Sequence, residues 1–257
     1  MPEGDTIRWH AGRIRPALEG RSPEAVRTHP RFAGDRWDER LTGRTVQRVD
    51  AYGKHLFLRF DGDLVLHSHL GMVGSWGVYA PGRRWPRSPR RAWLVMRVEG
   101  VDVVQFDGST LELLTAGRTR FDQRLAGLGP DILADEFDEA EFLRRLRGDD
   151  PTRPIGDALL DQRTVAGIGN MWKAEGCWDA EIDPWRATRE VSDEEVLRVV
   201  AELHPRMEDS ATHGPRGVHP RVYGRAGRPC SRCGETVRSR GQGDENRTTY
   251  WCPGCQR

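Results

Sequence analysis

Two Cys-x2-Cys pairs, Cys230/Cys233 and Cys252/Cys255, stand 18 residues apart. Four thiolates in two such pairs match the ligand set of a tetrahedral structural zinc ion. Pro229, Gly234, Pro253 and Gly254 supply the tight turns that bring each pair onto one ion. With sulfur at every position, the ion offers no open site for chemistry. Its task is to fix the last 28 residues, too few to bury a core of their own. Disulfides are the alternative. They suit an oxidising compartment, whereas this chain opens acidic and polar, unlike a secretory signal. It also has no apolar run near the roughly 18 residues needed to span a bilayer. A cytoplasmic protein without a membrane segment is expected. The fifth cysteine, Cys177, reads as a small buried side chain in a helical pattern.

Upstream of the module the pattern is α+β. Ile7, Ala11, Ile14 and Leu18 recur at helical spacing, predicting a helix over 3–19 with Gly20 as its stop. Short β-like runs follow at Thr45–Tyr52, Lys54–Phe60, Leu64–His69, Met72–Tyr79, Ala92–Val98, Val101–Phe106 and Thr110–Leu114. Their regular spacing predicts a sandwich or barrel. Asp61-Gly62-Asp63 reads as a hairpin turn. After Gly129-Pro130 helices are expected at Asp138–Arg147, Ile155–Gln162, Asn170–Ala180 and Ser192–Asp209, and a linker over 211–229. Within the cysteine module, Thr236–Val237 and Thr248–Trp251 suggest a hairpin whose tip includes Gly241-Gln242-Gly243. Arg247 lies on its arm. The expected domains are 2–125, 130–225 and 226–257.

Net charge is only +1, but basic residues cluster. Residues 212–257 hold nine arginines against three acids, and a second group comprises Arg83, Arg84, Arg87, Arg90 and Arg91. Such patches fit phosphate binding, or are solvated loops. Of 40 basic residues only Lys54 and Lys173 are lysines. A GC-rich coding bias accounts for the excess of arginine, yet lysine alone can exchange a proton near neutrality. That draws attention to both.

Met1-Pro2 is a start from which the initiator methionine is readily removed, leaving a secondary amine. An α-amino group titrates near roughly 8, so about a tenth of it is a free base at pH 7. Attack on a sugar carbon would give an iminium that is at once an electron sink. Glu3 places a carboxylate beside it. Taken alone, Pro2-Glu3 is equally an ordinary helix start.

The order of the motifs narrows the choice. Met1-Pro2-Glu3-Gly4-Asp5-Thr6 comes first, then Gly53-Lys54-His55-Leu56 and His67-Ser68-His69-Leu70-Gly71-Met72. Next are Leu160-Asp161-Gln162 and Val165-Ala166-Gly167-Ile168-Gly169-Asn170. Tyr250-Trp251-Cys252-Pro253-Gly254-Cys255-Gln256 closes the series. Over essentially its whole length the chain resembles the formamidopyrimidine-DNA glycosylase/endonuclease VIII family of bifunctional base-excision enzymes. The resemblance implies an N-terminal helix and β-sandwich, a helix–two-turn–helix domain and a C-terminal zinc-binding β-hairpin. It implies Pro2 as the Schiff-base nucleophile at C1′, Glu3 as proton donor and acceptor, and Lys54 as a phosphate holder that assists catalysis. Asn170 would bind phosphate, Arg247 would grip phosphates flanking the lesion, and Met72 would fill the gap left by the extruded nucleotide. A buried strand methionine is the plainer alternative for Met72, and Lys173 is expected on a solvated helix face. A structural zinc, a monomer and double-stranded DNA carrying oxidised bases or abasic sites complete the expectation.

Phe106-Asp107-Gly108-Ser109-Thr110-Leu111 lacks the two arginines and phenylalanine usual in the purine-lesion branch. The opening Gly4-Asp5-Thr6 and the shortish loop His213–Arg221 also resemble the endonuclease VIII branch, which prefers oxidised pyrimidines. An 8-oxoguanine/formamidopyrimidine glycosylase is the alternative within the family. Outside it stand a non-enzymatic DNA-binding protein on the same scaffold and a zinc-ribbon interaction module. Neither needs Pro2, Glu3 and Lys54 together, and the second leaves the first 200 residues unexplained.

Overall fold

The computed structural model describes residues 2–257; Met1, on whose removal the amine chemistry depends, lies outside the described residues. Two compact units are present, one formed by residues 2 and 6–126, the other by 3–5 and 127–257.

In the first unit the expected helix is α1, Gly4–Leu18. Its four periodic residues, Ile7, Ala11, Ile14 and Leu18, are all fully buried. They pack in one apolar cluster with Leu56, Leu58, Leu66, Trp76, Leu94 and Met96. Two four-stranded antiparallel sheets follow. One contains β2 (Val46–Tyr52), β3 (His55–Phe60), β4 (Leu64–His69) and β8 (Thr110–Thr115), in that order. The other runs β1 (Ala25–Thr28), β6 (Ala92–Val98), β7 (Val101–Phe106), β5 (Ser75–Tyr79). At the β3–β4 turn Gly62 and Asp63 have φ of 69° and 64°. They are two of the three residues between the paired Phe60 and Leu64, and this left-handed backbone favours Gly and Asp.

Four elements had no signal in the sequence. β1 buries only Val26 and exists through its pairing with β6. α2 (Trp37–Leu41) is one short turn that buries Trp37 and Leu41. α3 (Ala116–Phe121) and α4 (Gln123–Ala126) bury nothing and so have no apolar stripe to detect. The expected strand over Met72–Tyr79 is shorter: Gly71, Met72 and Val73 form a turn, and β5 starts at Ser75.

The second unit holds α5 (Glu139–Arg147), α6 (Ile155–Leu160), α7 (Asn170–Asp179) and α8 (Asp193–His213). Ser192 and Glu195 form a reciprocal capping box at the start of α8. That helix runs four residues past its expected end and takes in 211–213, which read as linker. Its buried stripe continues through Met207 to Ser210. Ser210 belongs to the stripe because its hydroxyl bonds Asp5, a contact without hydrophobic periodicity. Pro205 is exposed within the helix.

The cysteine module carries β9 (Arg238–Gln242) and β10 (Arg247–Trp251). Its tip differs from the expected one. Gly241 and Gln242 are in β9, Arg247 pairs with Gln242, and the turn is 243–246. Thr236, expected in the strand, instead bridges to Pro229. Trp178 and Ala174 of α7 pack with Val222, Val237, Cys230 and Cys252, which seats the module on that helix.

Candidate functional site

Glu3 is 1% exposed. Its carboxylate accepts three backbone N–H bonds at the start of α7: from Gly169 at 2.9 Å, Met171 at 2.9 Å and Trp172 at 3.2 Å. These are donors that a helix start leaves unpaired, and the positive end of the helix favours an anion there. The resemblance implied that Asn170, which opens this helix, would bind phosphate; the backbone amides around it serve Glu3. The acid at the second position after Met1 thus caps α7 and not its own helix.

The glycines of the two motifs follow from this contact. A Cβ on Gly169 would lie 2.2 Å from the Glu3 carboxyl carbon, and one on Gly4 would lie 2.9 Å from the Gly167 Cα. Gly4 N–H donates to the Gly167 carbonyl at 2.9 Å. Glu3 and Gly4 are therefore held against 167–172, one by its side-chain carboxylate and the other by a backbone bond. Pro2, directly before them, is partly exposed.

Asn170 is buried at the first turn of α7, and its amide donates to the Thr248 carbonyl of β10 at 2.8 Å. One residue before Thr248, Arg247 is exposed and pairs with Glu245. Lys173 overturns expectation. It is fully buried, not on a solvated face. Its ammonium bonds Gln242 of β9 at 3.1 Å and Thr249 of β10. Burial pushes its pKa down to about 8. The misreading arose because α7 is buried nearly all round: the hairpin covers the face that an isolated helix would leave to solvent.

Lys54 lies with Gly53 in the β2–β3 turn. Beside it on β3 and β4 is a histidine chain that sequence reasoning missed. His55 Nδ1 is 2.8 Å from His67 Nε2, and His67 Nδ1 is 2.8 Å from Glu112 of β8. His69 faces His55 across the strands, its Nδ1 2.6 Å from Ser109 Oγ. With Glu112 as carboxylate, His67 donates through Nδ1, so its Nε2 accepts from His55 Nδ1–H. Burial lowers all three below the usual histidine range, His55 to about 3 and His69 to about 4, and the neighbouring Lys54 charge adds to both. For His67 burial outweighs the opposing Glu112. A usable signal existed: His67 and His69 alternate on one strand and hence share a face.

Met72 is 66% exposed at the tip of the β4–β5 turn, so it is not a buried strand methionine. Val73 beside it is 53% exposed.

The four thiols of Cys230, Cys233, Cys252 and Cys255 lie within 4.8 Å of one another. Cys230 to Cys255 is 3.8 Å and Cys233 to Cys252 is 3.4 Å. Those spacings are too long for a disulfide. They suit the edges of a tetrahedron about an ion with bonds of about 2.3 Å. Trp178 Nε1 and the Arg232 amide donate to Cys230 Sγ, as expected for a sulfur carrying negative charge.

A second buried acid was also missed. Glu175 of α7 accepts from the amides of Arg221, Val222 and Tyr223 at 2.9–3.0 Å and pairs with Arg206. It fixes the segment that read as free linker.

Residues 1–114 match the model of the formamidopyrimidine-DNA glycosylase N-terminal domain, and 128–220 that of the formamidopyrimidine-DNA glycosylase H2TH domain. The chain is 43% identical to the probable endonuclease 8 2 of Streptomyces coelicolor, covering all of this chain and 94% of that protein. It is 36% identical to the DNA-(apurinic or apyrimidinic site) lyase Nei2 of Mycolicibacterium smegmatis, over 100% and 99% of the two chains. Among solved structures, Lactococcus lactis formamidopyrimidine DNA glycosylase bound non-covalently to DNA containing an AP site superposes with a TM-score of 0.85 at 25% identity, covering 99% of each chain.

Proposed function

The chain belongs to the formamidopyrimidine-DNA glycosylase family, and on that premise we propose that it is a bifunctional DNA glycosylase and abasic-site lyase of base-excision repair that reacts through Pro2. The observation that carries this reading is the fixed carboxylate of Glu3. Three backbone amides at the start of α7 hold it, so the residue bonded to Pro2 is anchored, and in this reading its carboxylate exchanges protons with the reacting nucleotide and the pyrrolidine nitrogen.

The Pro2 amine attacks C1′ of the damaged nucleotide and loses its proton. The base departs and takes up a proton; the C1′–O4′ bond then breaks, O4′ taking up a proton, which leaves an iminium between Pro2 and the opened sugar. Loss of the C2′ proton then expels the 3′ phosphate, and hydrolysis of the iminium returns the amine. Lys54 holds a phosphate next to the lesion. Met72, already exposed on its turn, enters the stack in place of the extruded nucleotide. Arg247 and Asn170 address the backbone from the hairpin and from α7. The four cysteines hold one zinc, which fixes the hairpin. Oxidised pyrimidines are the favoured substrates, a preference supported by the short Asp107-Gly108-Ser109 turn and by relatives named endonuclease 8.

Borohydride trapping on duplexes carrying thymine glycol, dihydrouracil, 8-oxoguanine or an abasic site tests this. Trapping on the abasic and pyrimidine lesions, with the adduct mapped to the N-terminal nitrogen, is expected. Attachment at Lys54 or Lys173, or trapping by a form retaining Met1, would overturn the Pro2 assignment. A strong preference for 8-oxoguanine would overturn the substrate assignment.

A further inference from the structure

Residues 80–91, joining β5 to β6, form a loop with five arginines and three prolines. It is anchored by Trp85, whose ring meets Phe106 edge-on at 5.6 Å and lies 6.3 Å from Tyr79. These rings and Ala92, Val95 and Val104 form a small apolar cluster of their own. Leu94, Met96 and Val103 of the same sheet belong instead to the sandwich core. The loop therefore lies over the sheet's outer face.

There it borders a cavity of about 1430 Å³ whose lining includes Arg27, Arg83, Arg84, Arg87, Arg90 and Arg97, with Asp102 as the one carboxylate. Arg97 is paired with Asp102, and Arg87 with Asp107. Among the described residues Arg27, Arg83, Arg84 and Arg90 have no carboxylate within ion-pair range. Four uncompensated guanidinium groups round one opening repel one another, and an anion bound between them relieves that repulsion. Guanidinium forks match phosphate oxygens in pairs. The space exceeds the roughly 300–1,000 Å³ of small-molecule sites, which favours a run of phosphates over a single metabolite.

The loop also indicates which polymer. Arg87 donates to the Val73 carbonyl and, at 2.8 Å, to Asp107, which Arg91 grips as well. The arginine loop is thus tied to the exposed Met72–Val73 turn, the element that enters DNA in the reading above. Resting on that reading, we propose that the arginine-lined cavity is a second phosphate-binding site, holding the DNA backbone that flanks the lesion beyond the segment engaged at the reaction centre.

The test compares the wild type with a variant carrying Arg27→Ser, Arg83→Ser, Arg84→Ser and Arg90→Ser. All four positions are exposed, so the fold should survive, and an unchanged melting temperature checks this. Salt-dependent affinities are measured on abasic-analogue duplexes of about 12 and about 40 base pairs. On the long duplex the variant should bind at least about tenfold more weakly near 0.1 M salt, and its salt slope should be shallower by about 3–4, at about 0.9 per lost phosphate contact. On the short duplex the two proteins should agree. Equal losses on both lengths, or none on either, overturn the proposal. Rescue by a separate undamaged duplex would assign the cavity to a second DNA molecule, and competition by polyglutamate equal to that by DNA would assign it to an acidic protein; either result overturns it. Failure of the wild type to trap covalently on abasic DNA would refute the lyase reading instead, while the length comparison would still report on the cavity.

Discussion

The Glu3 carboxylate accepts the Gly169 N–H at 2.9 Å across 166 residues of sequence. One bond of this kind gives two distant motifs a common cause. The acid after Pro2 needs donors, and the Gly-x-Gly-Asn helix start needs an anion and room for it.

Glu3→Gln should therefore damage both chemistry and fold. Glutamine keeps one acceptor oxygen where the carboxylate uses two, so at least one buried N–H is stranded, at about 1–3 kcal/mol. Base excision should fall by about 10²–10⁴-fold. Urea unfolding and single-turnover excision on a pyrimidine-lesion duplex measure the two effects. A variant with wild-type stability and rate would show that the carboxylate does neither job.

Elemental analysis should find one zinc per chain. Chelation, or Cys252→Ser, should weaken duplex binding, because the hairpin bearing Arg247 is built on the cysteine cluster. Native protein without zinc that still binds DNA normally would refute the assignment.

Lys173→Met probes the buried ammonium. The folded pKa, about 8, is below the ordinary value of about 10.4. Between those values the unfolded chain retains a proton that the folded chain has released, so stability rises with pH there and is flat below. The unfolding free energy of wild type minus that of Lys173→Met should climb by up to about 3 kcal/mol across this window, at about 1.4 kcal/mol per pH unit. A difference independent of pH would mean that the lysine is not perturbed.

The histidine chain fixes tautomers. Nitrogen NMR at pH 7 should show His67 and His55 neutral and protonated at Nδ1, with His55 still neutral at pH 5. Because their folded pKa values are lowered, the unfolded chain binds more protons below about 6.5, and these residues make the protein less stable as pH falls. An imidazolium at His55 near pH 6.5 would contradict the arrangement.

The helical stripe of α1, the alternating strands, the Asp61-Gly62-Asp63 turn and the two cysteine pairs were legible in the sequence. Each is a local pattern, repeated within a few residues and enforced by burial or by four thiols gathered within 4.8 Å of one another. The order of the motifs also carried the family resemblance. Tertiary structure alone decided which groups those motifs serve. It gave the α7 amides to Glu3, buried Lys173 under the hairpin, put His67 between His55 and Glu112, and tied Arg87 to Asp107. It also left Met72 exposed. These are contacts between polar groups far apart in the chain. Hydrogen-bond partners have no periodicity, so a sequence shows that a donor or acceptor is present, and only the fold determines what it meets.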